Sequence, residues 1–411
     1  MPENPRRDRQ NRTELTPMIL VCGERFSANV GDGAIAECLL HLLRQLAPGL
    51  LVSAVDLSGR LRYESFGRKR QRRLSVRLLR LVRRLRPLRR AASILEWYLS
   101  GRRRLAERLD PLLPHAALMV IGGGQLLLDT ELRFPLRIAA ATGRASRAGI
   151  PTAFLGCGAA ASFSPIGWRL LRRALAAPLT CHVSLRDQES LENVRRGFGD
   201  AIRVPLRLGA DPAIFAAEVY GFRQRADAQA IGLGIMAPRL MRRRAGESAP
   251  FADETVLRFW VGLAGRLRDA GHRIELFCNG APADRAFLAR VAGQLGLPVP
   301  APPRTATELA WRIAGFRAIV AHRLHANVLA LSLGVPAVGL IWDDKLRQFG
   351  RLAGRERFFV EPAEQTPETV AARLAEALAT PPDETALDEL RRQVREDIAV
   401  MLEAAGLAPP G

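Results

Sequence analysis

The sequence predicts an α/β protein built as two doubly wound, Rossmann-like lobes with a cleft between them. Three observations carry this expectation. Short apolar runs bounded by glycine alternate with helical patterns, which is how parallel sheets made of βαβ units read. The series runs through the first half and restarts near residue 230, giving one lobe over residues 17–216 and a second over 228–382. At 411 residues the chain also exceeds the size that a single hydrophobic core covers.

The elements follow in order. MILVCG at 18–23 reads as the first strand, and a helix follows over about 33–46. LLVSAV at 50–55, LMVIGGG at 118–124, TAFLGCG at 152–158 and CHVSLRD at 181–187 read as further strands, with helices between several of them. GADPAIFAAEVYGFRQRADAQ at 209–229 reads as a linker crossing between the lobes. AIGLGIM at 230–236 opens the second lobe, and RIELFCNG at 273–280, RAIVAH at 317–322 and PAVGLI at 336–341 continue it. A last helix over about 384–405 has no strand after it and is expected to fold back across the cleft. Sheets of this kind bind ligands beyond the carboxyl ends of their strands, so the functional residues are expected in the loops that follow them.

Composition narrows the function classes. The five cysteines are odd in number, scattered and without a CxxC pair, which argues against a disulfide framework or a structural zinc site and fits a reducing cytoplasm. The N-terminal residues lack an apolar signal core, and no apolar run is long enough to cross a bilayer. Cytoplasmic location is therefore expected. The net charge of +20 suggests nucleic acid at first sight, but residues 59–104 alone carry 17 basic and 2 acidic side chains. Leu74, Leu78, Leu81, Leu85 and Leu88 draw an apolar stripe through this insert, Pro87 interrupts it, and Trp97 and Tyr98 follow. Two readings stay open: a solvated excursion packed by its leucines, or a helix lying on an anionic membrane, which would place the protein on the inner face of the cytoplasmic membrane. Outside the insert, recognition-helix patterns and interleaved aromatics are lacking, so no nucleic acid is expected.

Four loops carry the chemistry. In HRLHANVLALSLGVP, Leu324, Val328 and Leu331 begin a helix that Gly334 and Pro336 end. Arg323 and His325 thus sit at a helix N-terminus, where free N–H groups already favour an anion. The arginine adds a bidentate clamp and the histidine a proton donor, while His322 either caps the helix, fills a gap or joins the site. Lys345, in GLIWDDK, is either a second cation for the anion or the start of a surface helix. In NVGDGAI, Asn29, Gly31 and Asp32 form a compact turn that is neither a dinucleotide fingerprint nor a P-loop, and Asp32 either caps the helix or accepts a sugar hydroxyl proton. Gly123 and Gly124, in IGGGQLLLD, either let a ligand approach the backbone or make a tight turn. In SLRDQES, Asp187 is able to cap and Arg186 to reach into the cleft; Arg239, after the first strand of the second lobe, is a further cation. The Asp and His residues do not fall at metal-ligand spacing, so no metal is expected.

NVGDGAI, GGGQLLLD, SLRDQESLENV, GADPAIF and HRLHANVLALSLGVPAVGLIWDDK together, in order and spacing, resemble the polysaccharide pyruvyl transferase family over about residues 18–378, apart from the basic insert. Arg323, Leu324 and His325 carry the sharpest element of that resemblance. It implies a fold similar to GT-B glycosyltransferases. It also implies transfer of pyruvate from phosphoenolpyruvate, used as a substrate with no cofactor, onto a sugar of a bacterial surface polysaccharide or its lipid-linked precursor. Under that reading His325 is the acid or holds the departing phosphate. Asp32 or Asp187 takes a hydroxyl proton, and Arg323 clamps the donor with Lys345 and Arg239 as lesser candidates. The chain departs from the family at WDDK, where a tyrosine usually precedes the aspartate, and in its large basic insert. Two alternatives remain: a GT-B glycosyltransferase using a nucleotide sugar, and a non-catalytic, membrane-associated glycan-assembly protein.

Overall fold

The computed structural model describes residues 16–63, 89–129, 131–245, 251–380 and 384–408. Six parallel strands form the N-terminal sheet: β1 (Met18–Gly23), β2 (Leu51–Asp56), β3 (Ala116–Leu127), β4 (Thr152–Ala159), β5 (Thr180–Leu185) and β6 (Leu206–Leu208), in the order β2-β1-β3-β4-β5-β6. Five more form the C-terminal sheet: β7 (Ile231–Gly234), β8 (Ile274–Phe277), β9 (Ala318–Ala321), β10 (Ala337–Leu340) and β11 (Phe359–Val360), in the order β11-β10-β9-β7-β8. All six residues of MILVCG are buried because helices cover both faces, which is why such strands are apolar throughout instead of alternating. The strand order reverses between β1 and β3 in one sheet and between β9 and β7 in the other, and a crevice opens at each reversal.

Six helices bear on that crevice: α1 (Gly31–Leu46), α2 (Gln188–Phe198), α3 (Pro282–Leu295), α4 (Leu324–Leu333), α5 (Asp344–Leu352) and α6 (Glu384–Ala404). The triple glycine is not a turn. β3 runs through it, with a register shift between Gly124 and Leu127 and positive φ at Gly123 (75°) and Gly124 (91°). A Cβ on Gly123 would stand 2.4 Å from Ile35 Cγ2 of α1, so close helix packing demands the glycine.

The expected linker is a packed element. Pro212–Phe215 is a buried 3-10 turn and Ala216–Tyr220 a short helix. Ser332 of α4 bolts them down, donating to Ile214 O at 2.7 Å and accepting from Ala217 N at 3.0 Å. Helix α6 folds back onto the N-terminal sheet: buried Asp397 accepts from Ser184 Oγ at 2.5 Å and pairs with His182 Nε2 at 3.0 Å, both on β5. Leu387, Leu390, Val394, Ile398 and Met401 of α6 join one apolar cluster that also holds residues of α1 and α4. Each lobe has a further cluster on its other face.

The leucine stripe of the insert lies outside the described residues. The part that follows is helical over Arg89–Glu96 and Arg102–Leu109, joined by a π turn at Trp97–Gly101. Trp97 is buried, whereas Leu95, Tyr98 and Leu99 are exposed beside exposed Arg102, Arg103 and Arg104. No helix among the described residues is long and apolar enough to cross a membrane.

Candidate functional site

The loop after β9 sets the site. α4 is buried almost all round, so its first turn is held rigidly where the two lobes meet. Asn327 Nδ2 donates to Ala321 O at 3.1 Å and Arg323 O at 3.0 Å, which fixes the backbone of the Arg-Leu-His turn. Arg323 Nε and Nη2 both donate to Asp284 Oδ2, at 2.9 and 2.6 Å. Asp284, in the first turn of α3, is wholly buried, and its other oxygen accepts from Ala237 N at 3.0 Å. The guanidinium is therefore oriented in advance, with Nη1 outside that contact.

His325 lies between two carboxylates. Its Nδ1 is 2.9 Å from Asp32 Oδ1 of α1, and its Nε2 is 3.4 Å from Asp211 Oδ2 of the interlobe segment, an ion-pair separation without hydrogen-bond geometry. Burial opposes the imidazolium charge, but Asp211 and Asp32 outweigh it and lift the ring to about 9, so it is cationic at neutral pH. The carboxylates respond in kind. Burial works against their ionisation, yet His325 holds both below the usual range, helped by Arg323 at Asp32 and by Arg186 at Asp211. Asn29 Nδ2 donates to Asp32 Oδ1 at 2.9 Å. Gly31 is needed because a Cβ there would stand 2.7 Å from His325 Cβ.

Asn29, Asp32, Gly123, Gly124, Arg186, Arg323, His325 and Lys345 all line one cleft of about 220 Å³, together with Glu24, Gln125 and Trp342. Arg186 is buried and anchored by Gln125 Oε1 at 3.0 Å and by Asp211 Oδ2 at 3.5 Å. Lys345 Nζ lies 3.7 Å from Asp343 Oδ2. Gly31 sits behind this wall, against His325.

Three expected residues stand differently. Asp32, offered as a proton acceptor, is ion-paired and correspondingly weak as a base. Asp187 caps α2 by accepting from Ser190 N at 2.7 Å; it faces an adjoining groove of about 480 Å³, which shares Gln125, Trp342, Asp343 and Lys345 with the cleft. Arg239 is exposed on the helix Pro238–Ala245 and is not part of the cleft wall. His322 is a buried gap-filler: its ring packs edge-on against Trp260 at 5.5 Å, and burial drives it down to about 3, hence neutral. Sequence reasoning missed Asp211, Asp284, Glu24 and Gln125. Asp211 stood inside GADPAIF, a motif read for resemblance and not for chemistry; Gln125 directly followed the glycines.

A family model for polysaccharide pyruvyl transferase matches residues 29–344, a span that includes Asp32, Gln125, Arg186, Asp211, Asp284, Arg323 and His325. No curated relative matches the sequence. Among solved structures, UDP-GlcNAc 2-epimerase from Methanocaldococcus jannaschii is similar at a TM-score of 0.51 and 10% identity, over 89% of this chain and 94% of that one. UDP-GlcNAc 2-epimerase from Neisseria meningitidis, bound to UDP-GlcNAc, is similar at 0.50 and 13%, over 94% of this chain and 99% of that one. A putative UDP-N-acetylglucosamine 2-epimerase from Listeria monocytogenes is similar at 0.50 and 12%, over 94% and 96%. At these identities the likeness concerns the fold, which is GT-B-like with two Rossmann-like lobes, as the sequence led us to expect. The chain belongs to the polysaccharide pyruvyl transferase family and is a transferase.

Proposed function

We propose that the cleft takes phosphoenolpyruvate as donor and moves its pyruvyl group onto two hydroxyls of a sugar in a bacterial surface polysaccharide or its lipid-linked precursor, forming a ketal and releasing phosphate. The observation that carries this reading is Arg323, pre-aimed by Asp284, beside an imidazolium at the N-terminus of α4. Phosphoenolpyruvate has a carboxylate and a phosphate, and Arg323, Lys345 and Arg186, with the N–H donors of the α4 N-terminus, give that cleft positive groups for both ends. Ketal formation begins by protonating the methylene carbon. His325 carries the proton that this step needs, and its raised pKa keeps it charged at working pH.

The acceptor sugar belongs in the adjoining groove, where Glu189 is placed to accept from hydroxyls and the Trp342 indole offers an apolar face at the boundary with the donor cleft. Lys345 lines both cavities and so stands at the point of transfer. Thermal unfolding with phosphoenolpyruvate, UDP- and GDP-sugars and inorganic phosphate tests the reading. A donor at about a hundred times its Kd adds about 2.7 kcal/mol. Stabilisation by phosphoenolpyruvate that vanishes in Arg323→Ala supports pyruvyl transfer; stabilisation by a nucleotide sugar alone assigns the cleft to a glycosyltransferase.

A further inference from the structure

Glu24 is the first residue after β1, at the reversal of strand order beside β3. It lines the same cleft as Asn29, Asp32, Arg323 and His325, yet it precedes the span that the family model matches. The loop that carries it is fixed. Asp56 Oδ2, at the end of β2, accepts from Phe26 N at 2.8 Å, and Arg60 Nη1 donates to Phe26 O at 3.0 Å. The Glu24 carboxylate itself is 3.6 Å from Arg137 Nη1, an ion-pair distance that leaves its oxygens able to accept a hydrogen bond.

Adding a sugar hydroxyl to the donor requires a base, and the other carboxylates in and around the cleft are engaged. Asp32 and Asp211 flank His325, Asp343 pairs with Lys345 at 3.7 Å, Asp284 holds Arg323, and Asp187 caps α2. We propose that Glu24 is the group that takes the proton of the attacking hydroxyl. The proposal rests on the phosphoenolpyruvate reading above. As the hydroxyl oxygen bonds to C2 of the donor, its proton passes to a Glu24 oxygen, and the C2–C3 electron pair takes the His325 proton to make the methyl group. The second hydroxyl then bonds to C2 while the C2–O bond to phosphorus-bearing oxygen breaks, and its proton leaves with the phosphate. Protonated Glu24 and neutral His325 restore each other by proton exchange.

The electrostatics agree with this role. Burial chiefly, with the negative charges of Asp32 and Asp56, lifts Glu24 to about 7, while Arg137 and Arg60 pull it down. Such a carboxylate is a much stronger base than an ordinary one, and it remains partly ionised near neutrality.

The test measures phosphate release from phosphoenolpyruvate by the full chain, with p-nitrophenyl glycosides of glucose, galactose, mannose and N-acetylglucosamine as acceptors, for wild type and Glu24→Gln. The variant is expected to lose about 100-fold in kcat, to keep the KM for phosphoenolpyruvate within about twofold, and to lose the acid limb of the pH profile. In wild type that limb falls near pH 7. Unchanged kcat with a preserved limb overturns the proposal. Arg137→Met removes the nearest cation, so the wild-type limb is expected to move to higher pH; a limb that stays in place overturns it as well. Carbon-13 NMR of the glutamate carboxyls requires no acceptor: the resonance missing from Glu24→Gln titrates near 7, and a midpoint near the ordinary 4.5 refutes the assignment. A wild-type protein that phosphoenolpyruvate neither stabilises nor serves as a substrate refutes the functional reading instead.

Discussion

Asp284→Asn tests how the donor arginine is held. The aspartate is wholly buried and Arg323 keeps only 14% of its side chain exposed, so the substitution leaves a nearly buried guanidinium without its counter-charge. Removing one partner of a buried pair costs about 3–5 kcal/mol. Water still reaches the edge of Arg323 and an asparagine oxygen is able to keep the Ala237 N–H, so the lower end, about 3 kcal/mol, applies here. Donor binding suffers separately, because a freed arginine must be ordered on binding; about 1 kcal/mol for that ordering raises Kd roughly fivefold. Urea unfolding followed by circular dichroism reads the first quantity and donor titration the second. Both measurements are repeated in an Arg323→Met background, where no unpaired charge remains. Coupling of about 2 kcal/mol between the two positions is expected from their direct contact. Equal costs of Asp284→Asn in the two backgrounds would refute the claim that this carboxylate acts through Arg323.

Gly31→Ala pushes a methyl to 2.7 Å from His325 Cβ and 3.0 Å from Asn279 Nδ2, so it is expected to destabilise by about 1–3 kcal/mol and to displace the histidine; wild-type stability and activity would show that the site has slack. Because the His325 pKa in the fold, about 9, lies above its unfolded value, its ion pairs contribute fully below about pH 6.5 and are lost as pH rises through about 9. The stability difference between wild type and His325→Gln should therefore shrink across that window, and a flat difference would contradict the pairing. The exposed Leu95, Tyr98 and Leu99 beside Arg102, Arg103 and Arg104 predict sedimentation with anionic liposomes that fades above about 0.1 M salt, where the Debye length is about 10 Å. Protein that stays in the supernatant at low salt would reduce this region to a surface feature.

Most of the architecture was legible because buried parallel strands are apolar on both faces and glycine marks their ends. β6 and β11 escaped notice: three and two residues are too few to display any periodicity. The interlobe segment was misread for a different reason. Asp-Pro and a glycine look like loop chemistry, but Ala213, Ile214, Phe215, Ala216 and Ala217 are an apolar surface that α1, α4 and α6, brought together by the fold, supply with partners. His325 was readable from local rules, since a helix start is local. Its partners were not. Asp32 and Asp211 approach it from distant parts of the chain, and the carboxylate that aims Arg323 lies on another helix with nothing in its own neighbourhood to mark it. Glu24 was silent for the same reason: its raised proton affinity comes chiefly from burial and then from Asp32 and Asp56, against Arg137 and Arg60, surroundings that only the fold assembles.

The return of α6 onto β5 bears on how the protein is made. At about 5–20 residues per second, translation needs roughly 10–35 s to travel from Leu208, where the first sheet ends, to Glu384, where α6 begins. Through that interval His182 and Ser184 lack the carboxylate that satisfies them, and the apolar patch later covered by Leu390, Val394 and Ile398 faces solvent or a chaperone. The first lobe thus waits on the ribosome for its final piece, and a pause late in the message prolongs the period in which it is open to misassembly.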